Sequence, residues 1–284
     1  MFLTVIMTLH NRLADARISI SSVLRQKQSE NVDLEFVLVD NNSAEDIDAV
    51  YQEVRREAPT TLIRRPVLPS PMAWASARNL GLAVADGEWI LSLDPDCVIA
   101  PGYLNSLRLQ VDKSNEWTEM YTGERVFVDG DSVERACALT NPQTITTFRK
   151  VCSHANHGLL RDKRIPDMFN LPELEHSWDY AHGGNVVYSL RAAQSCGGQD
   201  PKFDGNHGYE DIEFAYRMIT NIDCRLNYVP EMVAYHLESD NRIPQPDRRL
   251  RAKNPNWHRI CDLIPGYFDF KKVQYRRRQV DISL

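Results

Sequence analysis

The chain has 284 residues, 43% of them hydrophobic, and its 33 Lys and Arg stand against 39 Asp and Glu for a net charge of -6. That length can bury a substantial core as one large domain or two joined halves, and the charge leaves no bulk positive field for nucleic acid or an anionic membrane. Cysteines at 97, 137, 152, 196, 224 and 261 form no Cys-x-x-Cys pair, which argues for thiols and against a disulfide framework or structural zinc.

The N terminus has neither the length nor the basic start of a signal peptide, and no apolar run reaches membrane-spanning length. A soluble cytoplasmic protein is expected, with a peripheral role at a membrane left open. Phe2 to Thr8 reads as a buried strand, and Ala16, Ile20, Val23 and Leu24 recur at helical spacing over 13–27. Glu35 to Val39 is a second strand ending in Asp40-Asn41-Asn42-Ser43, followed by a helical pattern at Ile47, Val50, Tyr51 and Val54. This alternation predicts a mostly parallel sheet with ligand-binding loops at its strand ends. Asp40 could there accept hydrogen bonds from a ribose or base, or simply shape a turn.

Thr61 to Arg65 is a short strand candidate before a Pro-rich turn at 66–71, and Ala73, Ala77, Leu80 and Val84 outline a helix ending near Asp86-Gly87. Arg78 lies within it, a position more often solvated than ligand-bound. Trp89 to Leu93 is a strand buried on both faces that runs into Asp94-Pro95-Asp96, where proline must end the ladder. Two adjacent carboxylates at a strand's carboxyl end suit a divalent cation carrying a phosphorylated ligand, although an acidic turn has the same composition. Pro101 is placed to open a helix with Leu104 and Leu107. Neither Gly-x-Gly-x-x-Gly nor Gly-x-x-x-x-Gly-Lys occurs, which argues against a dinucleotide enzyme or a P-loop nucleotidase.

Beyond residue 112 the rhythm changes. A strand is expected within Glu119 to Val128, and residues 130–180 are polar and weakly patterned, as in lids or binding segments. His154, His157 and His176 fall there and match no compact metal motif. After Gly183-Gly184, Asn185 to Ser189 reads as a strand and Arg191 to Cys196 as a short helix. An acid-rich loop leads to Glu210-Asp211, and the following helix sets Ile212, Ala215, Tyr216 and Ile219 on one face with Glu213 and Arg217 paired. Arg225 to Val229 and Met232 to Tyr235 are strand candidates, with His236 closing the second. The tail from Ser239 carries Arg248, Arg249, Arg251 and Lys253 and reads as a terminal helix or a solvated arm, able to approach donor phosphates.

Taken together, residues 2–238 resemble a metal-dependent glycosyltransferase of the GT-A fold, family-2-like. The second half is similar to chondroitin polymerase, β-1,4-galactosyltransferases and the polypeptide N-acetylgalactosaminyltransferases. The resemblance rests on Thr4 to Arg12, Val39 to Ser43, Ala77 to Gly81, Asp94-Pro95-Asp96, Gly183-Gly184-Asn185, Gly208 to Phe214, and His236. It departs from those enzymes at Tyr209, where they have a glycine, and it lacks the proline that often opens the first loop.

The resemblance implies an α/β Rossmann-like sheet flanked by helices, with a smaller acceptor-side sheet. It implies a single catalytic domain over 1–238, divided into a nucleotide-sugar half (1–112) and an acceptor half (113–238), with 239–284 a basic extension. Asp96 and His236, with Asp94, would hold Mn²⁺ or Mg²⁺. Thr8, His10, Arg12, Asp40, Arg78, Asp94, Gly184 and Asn185 would bind a UDP-sugar, Asp211 would be the general base, and Glu210 would hold a sugar. The implied reaction is inverting transfer of a hexose or N-acetylhexosamine to a saccharide or glycoconjugate hydroxyl. A sugar-phosphate nucleotidyltransferase and an inactive carbohydrate-binding scaffold are the alternatives.

Overall fold

A computed structural model describes residues 1–27, 31–65, 72–114, 116–129, 159–161, 168–238 and 253–280. In chain order the first half contains β1 (Phe2–Leu9), α1 (Leu13–Lys27), β2 (Asp33–Asp40), α2 (Ile47–Val54), β3 (Thr60–Arg64), α3 (Trp74–Val84), β4 (Trp89–Leu93), β5 (Cys97–Ile99) and α4 (Tyr103–Ser114). There follow β6 (Glu119–Thr122), β7 (Arg125–Asp129), β8 (Leu159–Arg161), β9 (Asn185–Ser189), α5 (Leu190–Ser195), α6 (Glu210–Ile222), β10 (Arg225–Tyr228), β11 (Ala234–Glu238), α7 (Pro255–Leu263) and α8 (Tyr267–Val280).

Seven strands form one sheet in the order β10-β6-β9-β4-β1-β2-β3, and four form a second in the order β5-β11-β7-β8. Within the large sheet only β9 runs antiparallel to its neighbours. β1, β2 and β4 are buried along nearly their whole length, which is why they read as continuous apolar runs rather than alternations. The α/β class with its smaller second sheet is therefore as the sequence implied. Among the described residues no helix is long and apolar enough to cross a membrane.

Several local expectations are corrected. In α3, Leu80 and Val84 are exposed, and the buried face carries Ala75, Ala77, Arg78, Gly81 and Leu82. The helix lies so close to β1 that a Cβ on Gly81 would sit 2.6 Å from Ile6 Cγ2, so a glycine stands at that contact, with Arg78 and Leu82 buried to either side of it. The stretch Glu119 to Val128, within which a strand is expected, holds parts of two strands in different sheets, because the chain crosses between them at Gly123-Glu124. A Cβ at Gly123 would collide with the Met232 carbonyl. Gly123→Ala is expected to cost about 1–3 kcal/mol through overpacking against rigid backbone, read as a lower urea midpoint at unchanged m value.

His236 lies inside β11 rather than at its end. On α6 the buried residues are Glu210, Glu213, Phe214, Ala215 and Met218, with Ile212, Tyr216 and Ile219 partly buried against the same core. Arg217 pairs with Glu213 and also donates to the Cys196 and Gly198 carbonyls, both at 2.7 Å. The ion pair is a clasp on the end of α5 rather than a surface pair.

The C-terminal segment is not a solvated arm over its described part. Ile260, Ile264 and Tyr267 join the second-half core. The fully buried Asp179 accepts both a bidentate contact from Lys271 Nζ at 2.6 Å and a bond from the Tyr267 hydroxyl at 3.2 Å. Aromatic spacing at Trp257, Tyr267 and Phe270 made this packing legible, had it been weighed against the charge. His176 packs on Phe270 with ring centroids 4.2 Å apart, a structural contact. His154, His157, Arg248, Arg249, Arg251, Cys137 and Cys152 lie outside the described residues.

Candidate functional site

Strand order reverses at β1, with β2 on one side and β4 on the other, and a crevice opens beyond the carboxyl ends at such a point. Two loops meet there. After β1, Asn11 and Arg12 take positive φ (57° and 60°), a strained pair that the second loop holds in place. Asn11 N donates to Ser43 Oγ at 2.8 Å, Ala44 N donates to Asn11 Oδ1 at 2.8 Å, and the His10 ring Nδ1 lies 3.0 Å from the Asn41 carbonyl. Asp40 is buried, and its Oδ1 accepts from Ser43 N at 2.9 Å, so it shapes this turn. Thr8 is buried at the end of β1.

Beyond β4, Asp94-Pro95-Asp96 is the link by which the chain leaves the large sheet and enters the small one as β5. β5 pairs antiparallel with β11, setting Cys97 opposite His236. His236 Nε2 thereby comes within 3.7 Å of Asp96 Oδ2. Asp96, Cys97 and His236 each offer a ligand atom, and these atoms all lie within 4.8 Å of one another. Burial pushes the Asp96 carboxyl up and Asp94 adds to this, while His236 and Arg12 oppose it. Arg12 Nη1 sits 2.5 Å from Asp96 Oδ2, so a cation already answers the buried charge. A buried carboxylate with an imidazole across the strand pair is a donor set that fits a divalent ion.

The other carboxylate, Asp94, faces Arg78. Arg78 is 5% exposed, with Nη2 3.2 Å from Asp94 Oδ1, Nη1 3.0 Å from Glu210 Oε1 and 3.5 Å from Gln199 Oε1. Burial works against its charge, but Asp94, Glu210 and Asp211 outweigh that and hold its pKa above the ordinary value. Sequence reasoning named Arg78 only through the resemblance and missed Gln199. Ala75, Arg78 and Leu82, spaced i, i+3 and i+7, were the available signal that the arginine faces inward.

Glu210 begins α6 and is buried against Arg78, rather than open to a sugar; its Oε2 is buried without a hydrogen-bond partner. Burial, then Asp211, pushes the carboxyl up to about 7. The folded pKa lies above the unfolded one, so the native state binds the extra proton. Stability should then fall as pH rises from about 4.5 to about 7, by up to about 3 kcal/mol. Glu210→Gln should flatten that part of a urea-midpoint profile against pH.

Asp211 is less buried, and its two oxygens accept from Gly183 N at 3.0 Å and Ile212 N at 2.8 Å. The glycine pair is required by crowding. A Cβ on Gly183 would be 3.0 Å from Arg78 Nη2, and one on Gly184 would collide with the Asp94 carboxylate. Tyr209, at the place of the resembled family's glycine, takes φ 76° and packs its ring at a tilt against Trp257 with centroids 5.7 Å apart. His207 meets Trp74 edge-on at 5.4 Å and is exposed. Asn185 is 1% exposed and held internally: its Oδ1 accepts from the Tyr103 hydroxyl at 2.5 Å and its Nδ2 donates to the Met232 carbonyl at 3.3 Å.

Residues 4–162 match the family model described as glycosyl transferase family 2. The chain is 24% identical over 273 residues to hyaluronan synthase of Pasteurella multocida, spanning 93% of this chain and 27% of that protein. It is 28% identical over 190 residues to succinoglycan biosynthesis protein ExoO of Rhizobium meliloti (strain 1021), spanning 64% of this chain and 52% of that protein. The chain thus spans about a quarter to a half of the length of these curated relatives. The crystal structure of S. aureus TarS 1–349 in complex with UDP-GlcNAc has the same fold, with a TM-score of 0.57 at 14% identity over 85% of this chain and 60% of that one.

Proposed function

From the premise that this chain belongs to glycosyl transferase family 2, we propose that it is an inverting, metal-dependent glycosyltransferase that uses a UDP-sugar and a saccharide or glycoconjugate hydroxyl. The observation that carries this reading is the meeting of Asp96 and His236, 140 residues apart in the chain, at 3.7 Å beside the strand-order reversal. The UDP-GlcNAc bound by TarS supports a UDP donor, and the hexose or N-acetylhexosamine is proposed on the same ground.

The donor belongs to the first half. Asp40 and the loop around His10 and Arg12 border the nucleotide, and Asp94, fixed by Arg78, faces the ribose or diphosphate. Asp96 and His236 would hold the ion, whose contribution when bound is Lewis-acid stabilisation of charge developing on the departing diphosphate. The acceptor oxygen attacks the anomeric carbon from the opposite face as the carbon–oxygen bond to UDP breaks. Its proton passes to Asp211, a carboxylate held by two backbone N–H groups at the head of α6. One displacement with one base gives inversion. Glu210 acts through Arg78, which it helps to hold between the two halves.

The test is UDP release with manganese and a saccharide acceptor. His236→Ala is expected to raise the manganese concentration for half-maximal release at least about tenfold, as losses around metal sites do. Unchanged metal dependence would remove His236 from the site, and no UDP release from wild type would favour a non-catalytic scaffold.

A further inference from the structure

A second concave feature adjoins the loop that feeds Asp211. The turn at Pro201–Phe203 and the helix α7 enclose a groove of about 650 Å³, within the range of about 300–1,000 Å³ in which small-molecule and oligosaccharide-sized ligands bind. Among the described residues its walls carry Lys202, Lys253, His258 and Arg259 against one acid, Asp262. In a chain of net charge -6, three fixed cations and a histidine around one carboxylate are a local reversal of sign, and their mutual repulsion is relieved by an anionic occupant.

The groove is mechanically part of the acceptor side. Asn256, 1% exposed, donates from its Nδ2 to the Phe203, Asn206 and Gly208 carbonyls at 2.8, 3.2 and 3.0 Å. Asn254 Nδ2 donates to the His207 carbonyl at 2.8 Å, and Trp257 packs on Tyr209, the residue before Glu210. The Arg259 guanidinium lies over the Phe203 ring at 5.7 Å, which fixes that cation at the groove wall. Asn256 therefore pins the loop running to Asp211 and itself lines the groove, next to Arg259 one turn further along the same face of α7.

We propose that this groove binds the body of an anionic saccharide acceptor, a chain carrying carboxylate, sulfate or phosphate groups, while its terminal hydroxyl reaches Asp211. The assignment of the chain as acceptor rests on the glycosyltransferase reading; the binding of an acidic saccharide does not. A concave groove favours a single chain over a membrane, whose headgroups present a broad surface.

Titration calorimetry without donor or metal tests it, with an oligogalacturonate hexamer as probe and maltohexaose as its neutral counterpart. The uronate should bind, weaken with added salt, and outbind maltohexaose. Lys253→Gln combined with Arg259→Gln should weaken it about tenfold, since each exposed ion contact contributes modestly, with an unchanged unfolding midpoint. Equal binding of the neutral chain, no effect of the double substitution, displacement by UDP, or binding only to phosphatidylglycerol vesicles would each overturn the proposal. Uronate binding by a protein that turns over no nucleotide sugar would retain the groove and sink the parent reading, and turnover without uronate binding would do the reverse.

Discussion

Arg78→Ala is expected to lower the unfolding free energy by about 3–5 kcal/mol, the usual cost of removing one partner from a buried ion pair. The magnitude follows from what is left behind. Glu210, 7% exposed at its side chain, would keep a buried carboxyl with no cation, and Asp94 would lose the group that holds it 3.2 Å away. Arg78 holds the Glu210 pKa down, so its loss should move the Glu210 titration above about 7. Chemical denaturation at several pH values reads both effects. Arg78→Lys should recover only part of the stability, because one ammonium cannot reach two carboxylates in the fork geometry of a guanidinium. A neutral outcome for Arg78→Ala would mean that the Asp94–Arg78–Glu210 chain is not a fixed unit, and the positioning of Asp94 would need another source.

The second large effect concerns chemistry rather than folding. Asp211→Asn is expected to reduce acceptor-dependent UDP release by about 10²–10⁴-fold, the range assigned to a positioned general base. The amide keeps an oxygen in place to accept from Gly183 N, so the glycine loop and the fold should survive. Donor affinity, measured by calorimetry with UDP and manganese, should stay near wild type. Turnover at the wild-type rate would sink Asp211 as base. Glu210 would then be the remaining carboxylate of the pair, though its buried contact with Arg78 gives it less access to an acceptor.

Much of the first half was legible before any coordinates. The runs Phe2 to Thr8, Glu35 to Val39 and Trp89 to Leu93 announced strands that the structure extends to Phe2–Leu9 and Asp33–Asp40 and keeps at Trp89–Leu93, and helical spacing over 13–27 matched α1. Asp94 and Asp96 stood out because carboxylates at the end of such a run are expensive unless something answers them. Where the reading slipped, the cause was a contact made by distant chain. Leu80 and Val84 outlined the helix by their spacing, yet both are exposed, and α3 meets β1 at Gly81, where a Cβ would press on Ile6. The charged tail looked solvated because charge was counted, and the partner that buries Lys271 is Asp179, 92 residues earlier.

The sequence by itself determined the elements of the first half, the chemical types available for a metal and a base, and the order in which they occur. Local pattern suffices for these, since backbone propensity and periodic burial are set within a few turns of chain. Tertiary structure decided which group each acid lies against. It alone brings His236 opposite Cys97 and beside Asp96, because the antiparallel register of β5 and β11 is a long-range pairing with no local signature. It alone turns Glu210 under Arg78 and sets the less buried Asp211 against Gly183 N, two neighbours in sequence separated by the rotation of one helical residue and by the burial that follows from it.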